Sequence, residues 1–166
     1  MAELKPLSRE SIGRALERAE RYRLLNEPVE AESICLDVLA ADAQSQPALV
    51  MLLLALTDQF EEGESGVVGR ARAVAQQLRD EYERAYYSGI VAERRAKAQL
   101  KRGGPGSSYA AYASFRDALA LYEKAEAIRP AGNDDAILRY NTCVRILERH
   151  PDLTEAPQEE AEQPLE

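Results

Sequence analysis

FRDALALYEKAEAIRP, residues 115–130, carries the most informative pattern in this chain. Ala118, Tyr122 and Ala125 follow one another at intervals of four and three, and Pro130 comes five residues later. Residues three and four apart are neighbours on a helix surface, so the first three make one stripe. Small side chains at two of those places admit another helix closely, and the ring between them fills the gap. Pro130 cannot donate the next backbone bond and ends the helix.

Similar spacing recurs near the start. Ala31, Cys35 and Val38 repeat the intervals of four and three, and Ala19 and Tyr22 supply a small and a large residue in the helix before them. These residues resemble the tetratricopeptide repeat, a helix-turn-helix unit of about 34 residues. The resemblance covers about residues 11–149 and is strongest at 15–56 and 115–130. Arg18 stands where that family usually has Leu, and Ala43 where it usually closes with Pro. The resemblance implies an all-α, right-handed superhelical solenoid of about three repeats plus a C-terminal capping helix, stabilised by stacking of neighbours.

Composition agrees with a mostly helical, amphipathic protein: 30% of the residues are charged and Trp is absent. The formal net charge of -8 is uneven. Residues 151–166 carry Asp152, Glu155, Glu159, Glu160, Glu162 and Glu166 without a Lys or Arg, so residues 1–150 are near neutral. A general affinity for nucleic acid is not indicated. No basic start leads into an apolar run, which predicts no signal peptide. The longest apolar run, Ala48 to Leu56, falls short of the roughly 20 residues of a spanning helix. No membrane insertion and a cytoplasmic location are expected. Cys35 and Cys143 read as buried thiols.

The chain divides into a polar lead-in (1–10), a helical repeat domain (11–150) and an acidic tail (151–166) whose Pro- and Glu-rich composition predicts disorder. Ser8 or Ser11 is expected to cap the first helix. A turn at Asn26-Glu27-Pro28 separates it from the second. The third, from about Gln46 to Gln59, is apolar nearly all round and is expected between neighbours. Residues 67–102 read as two helices with a bend near Arg79, or as one long helix; the bend is favoured. Gly89 within a helix costs about 1 kcal/mol relative to Ala, which points to close helix contact there. Gly89 and Ala118 stand about 17 residues farther apart than the repeat allows, an insertion placed at about 98–113. GGPGSS at 103–108 is a break, and Pro151 stops a last helix from about Asp134.

No catalytic constellation is found. The single histidine, His150, is expected at an exposed helix end. Metal-protease, CxxC, nucleophile-elbow and phosphate-loop spacings are absent from the sequence. No cofactor, metal or small-molecule substrate is expected.

The resemblance places the first helix of each repeat along a concave groove. From the first repeat it selects Leu16, Glu20 and Arg23, and from the second Val50, Leu54 and Asp58. The third contributes Tyr86, Ile90, Glu93 and Arg94, and the last helix Ile137, Asn141 and Arg145. Apolar anchors with polar orienting groups suit a peptide or protein segment. The expected function is a non-catalytic adaptor or scaffold. Some members of the family grip a C-terminal carboxylate with Lys, Asn and Arg, but Gly13, Glu17, Pro47 and Met51 occupy those places here.

Two alternatives stand beside it. One is self-association through exposed helix faces such as the Leu-rich third helix. The other is a nucleic-acid regulator using Arg94, Arg95, Lys97, Lys101 and Arg102, whose plainer reading is a solvated helix end.

Overall fold

Prolines, short polar side chains and glycines set where the helices start and stop. The computed structural model describes residues 1–63 and 66–158, and these hold seven α-helices and no strand. α1 (Ile12–Leu24) follows one 3-10 turn at Arg9–Ser11. Neither expected serine caps it: the Ser8 and Ser11 hydroxyls bond each other at 2.8 Å. Asn26, in the left-handed region at φ 60°, turns the chain. Pro28 then opens α2 (Pro28–Ala41), where its missing N–H costs nothing.

α3 (Gln46–Thr57) is capped by Ser45, whose hydroxyl accepts from the Ala48 N–H. α4 (Val67–Gln76) and α5 (Glu81–Arg102) are separate, as the favoured bend predicts. Asp80 caps α5 by accepting from the Tyr82 N–H at 3.3 Å. α6 (Ser107–Ala127) follows a tight turn in which Gly103, Gly104 and Gly106 all have positive φ, a region that costs other residues strain. α7 (Asp135–Arg149) closes the series. The segment 98–113 is thus mostly helix: it lengthens α5 to 22 residues and α6 to 21 around a short turn.

Each helix packs against the next, and α3 also touches both α1 and α5. The helices bury two cores. Leu49, Leu53 and Leu56 of α3 lie at the centre of the first, with Ala31 and Cys35 from α2 and Val67 and Ala71 from α4. Phe115, Ala118, Tyr122 and Ala125 of α6 organise the second, joined by Ala136 and Cys143 of α7. α5 serves both. At about 3.6 residues per turn, Val91 and Ala98 share one side and enter the first core. Ala85 and Ala96 point another way, into the second.

The burial of Leu49, Leu52, Leu53 and Leu56 removes the α3 face as a route to self-association. Residues 151–158 have no regular structure beyond a turn at Pro151–Asp152, yet Leu153 is buried in the second core. The expected disorder of the tail therefore does not extend to Leu153. Residues 159–166, which also fall under that expectation, lie outside the described residues.

Candidate functional site

The ends of α1 and α3 and the middle of α5 bring three expected groove residues together. Asp58, the residue that follows α3, accepts from Arg23 Nε at 2.7 Å through Oδ2. Its Oδ1 accepts from Arg23 Nη2 and from Arg94 Nη1, each at 3.3 Å. Two guanidiniums thus share one carboxylate. Each carries five N–H donors, so the cluster keeps donors for a further acceptor. All three side chains are partly open to solvent. They line a cavity of about 270 Å³ together with Leu24, Asn26 and Glu61.

Those last three residues lay outside the sequence-based set. Leu24 is 82% exposed and offers an apolar contact at the rim. Asn26 arrives through the positive-φ turn, and Glu61 pairs with Lys101 of α5. Sequence could have hinted only at Asn26, since Asn tolerates that backbone region better than most residues.

The remaining expected residues are dispersed. Leu16 of α1 and Val50 and Leu54 of α3 are half-buried, and Glu20 is exposed. On α7, Ile137 and Asn141 are half-buried and Arg145 is exposed. Ile90 and Glu93 are buried, at 3% and 0% exposure, and so leave the set of surface contacts.

Glu93 is the centre of an internal network instead. Tyr122 donates its hydroxyl to Glu93 Oε2 at 2.6 Å. Lys97 Nζ, one helical turn away, donates to Oε1 at 2.5 Å, and Arg139 Nη1 of α7 donates to the same oxygen at 3.3 Å. A buried carboxylate requires such partners. Burial, reinforced by the Glu93 charge, holds the Tyr122 phenol well above its ordinary pKa. Burial opposes the charge on Arg139, but Glu93 beside it leaves the guanidinium more basic than usual. Tyr86 borders this network, with its ring 6.0 Å from Tyr122 and stacked at 5.8 Å on Tyr82.

The basic run 94–102 is not one patch. Arg94, Lys97 and Lys101 pair with Asp58, Glu93 and Glu61. Arg102 reaches the Phe60 carbonyl at 3.5 Å. Arg95 points to another side of α5, where it lines a cavity with Arg72. Of the aromatic residues in the first half of α6, Phe115 is buried, Tyr112 packs on the second core, and Tyr109 is exposed. His150 follows the end of α7 and is half-buried rather than exposed.

Compared with known protein families, curated proteins and solved structures, the chain has no match. Among the described residues, no three His, Cys, Asp or Glu side chains are grouped to hold a metal ion. No helix there is long and apolar enough to cross a membrane. Burial pushes both thiols, Cys35 and Cys143, up to about 12, which makes each a poor nucleophile near neutral pH. The chemistry this site offers is recognition by directed N–H donors beside an apolar rim.

Proposed function

We propose that this protein is a non-catalytic adaptor built as a solenoid of tetratricopeptide-like repeats, and that it binds a segment of another protein. The architecture is supported by the serial packing of the helices and by the contacts α1 to α3 and α3 to α5. The small-large pattern supports it too: Ala118, Tyr122 and Ala125 face inward together.

One observation carries the binding reading. The Arg23–Asp58–Arg94 cluster draws its side chains from α1, from the residue after α3 and from α5, and opens onto a cavity beside exposed Leu24. Guanidinium groups with spare donors suit a carboxylate, by bidentate bonding. The preferred occupant is therefore a segment with an acidic group and a neighbouring apolar side chain.

An affinity capture from the source lysate, read by mass spectrometry, tests this. Wild type is compared with an Arg23→Ala, Arg94→Ala variant of matched helicity. Partners held by wild type and lost by the variant are the expected result. Partners held equally by both would remove the site.

Self-association is the second reading, favoured by apolar residues exposed toward both ends of the helix series. Val29 and Leu36 lie on α2, and Leu138, at 63% exposure, lies on α7. Mass that rises with concentration, and falls back in Leu138→Glu, would favour it over the adaptor.

A further inference from the structure

α5 has a further stripe that faces away from the Asp58 cluster, with Ala92 in it also packed at the edge of the second core. Ser88, Ala92, Arg95, Gln99 and Arg102 follow at intervals of four, three, four and three, so they share one face. Arg94 and Lys101 lie on the opposite face, toward Asp58 and Glu61. α4 and α6 both pack on α5 but not appreciably on each other. The stripe is therefore the floor of an open cleft between them.

The cleft has two halves joined at Arg72. One is a cavity of about 540 Å³ with Ser88 and Ala92 at its base. Its walls are Ala73 of α4 and Ala120 and Leu121 of α6, so it is chiefly apolar. The other is a cavity of about 410 Å³ into which Arg72, Arg95 and Arg102 all project. No carboxylate lines that half among the described residues. Among the described residues, Asp117 is the one acidic residue at the apolar half. Three cations with no lining counter-charge among the described residues, next to an apolar trough, define the chemistry of a complement.

We propose that the α4–α6 cleft is a second docking surface, taking an acidic segment of a partner protein. An apolar side chain of that segment lies over Ala92 against Leu121, and its carboxylates face Arg72, Arg95 and Arg102. The order of the halves sets direction: the apolar anchor lies toward the start of α5 and the acids toward its end. Small residues on the floor let the partner backbone come close, and arginine forks suit carboxylates in pairs. This surface is independent of the Asp58 cluster, because it uses the other side of α5.

The test uses the full chain and a fluorescein-labelled probe peptide, ALLAALLEEEEE, read by anisotropy at low and at moderate salt. Wild type should bind it, and the form with every Glu replaced by Gln should bind about tenfold more weakly, with the difference shrinking as salt rises. Arg72→Gln with Arg95→Gln should lose about tenfold for the acidic probe, since neither side chain holds an ion pair among the described residues. Ala120→Gln should crowd the apolar half without adding a charge beside Arg72. The Arg23→Ala, Arg94→Ala variant should bind the probe as wild type does, which separates this surface from the adaptor site. Equal affinity for the acidic and neutral probes, or no loss in the Arg72, Arg95 variant, would overturn the proposal. So would probe binding that appears only in Glu64→Gln or in a chain ending at 158, because the cleft would then belong to a carboxylate of the chain itself.

Discussion

The ring of Tyr122 lies directly against the backbone of Gly89. A Cβ at Gly89 would come within 2.5 Å of Tyr122 Cε1 and 2.7 Å of Cδ1. The two longest helices therefore meet here with no side chain on one side and a large one on the other. The same ring ends in the hydroxyl that donates to buried Glu93, so one contact fixes both helix spacing and the polar network.

Gly89→Ala should destabilise the protein, although Ala is favoured over Gly in a helix by about 1 kcal/mol. Tyr122 is fully buried and tied by its hydroxyl to Glu93, and overpacking costs about 1–3 kcal/mol. Gly13→Ala is the control. Nothing lies within 4 Å of a Cβ there, so it should be neutral or stabilising by up to about 1 kcal/mol. Urea unfolding of both variants checks the pair, and equal midpoints would contradict the close approach.

Tyr122→Phe keeps the ring and removes one donor from Glu93. Loss of a hydrogen bond to a charged group should cost about 1.5–3 kcal/mol. Glu93→Ala should cost at least as much, because it leaves the buried Tyr122 hydroxyl without its acceptor, while Lys97 and Arg139, 36% and 32% exposed, can turn to water. The measurement is the denaturant midpoint of each, with unchanged far-ultraviolet circular dichroism at zero denaturant.

Stability should fall in alkaline solution. Both thiols have folded values near 12, raised from 9.0 chiefly by burial, and the Tyr122 phenol is raised from 10.0 for the same reason. A raised folded value means the native state holds its proton more tightly, so this stabilisation is complete below pH 9 and is lost as pH climbs toward 12. Each thiol contributes at most about 1.4 kcal/mol per pH unit in that window. A Cys35→Ala, Cys143→Ala variant, though less stable at pH 7, should show a shallower fall of the urea midpoint between pH 9 and 11. A parallel fall would contradict the assignment to the thiols.

Leu153→Ala should cost about 2 kcal/mol, the low end for a buried leucine, because the residue lies past α7 in irregular backbone that can relax around the change. Leu153 packs in the second core with Phe115 and Cys143. Ending the chain at His150 should lower the melting temperature comparably. An unchanged transition in both would show that the leucine contributes nothing.

The helices were largely legible because their causes are local. The Asn26-Glu27-Pro28 turn, the bend near Arg79 and the glycine break after α5 lie within a residue or two of their expected places. The first helix start was less so, since Ser8 and Ser11 bond each other instead of the backbone. The groove was legible only in part. Arg23, Asp58 and Arg94 meet, but Leu24 and Glu61 joined them unannounced, and Arg139 took the inward place on α7 that no periodicity marked.

The amino-acid order by itself determined most helix boundaries, the start of α1 excepted, and that Gly89 needs a close neighbour, because capping, period and the absence of a side chain act over a few residues. Only the tertiary structure decided which polar residues go inside. Glu93 and Arg94 are adjacent and equally charged in magnitude, yet one is buried and the other open to solvent. The difference comes from Tyr122 and Arg139, 29 and 46 positions away, which reach Glu93 only once α6 and α7 have packed. A charge can leave water only where such partners arrive, and their arrival depends on helix packing that no local pattern states.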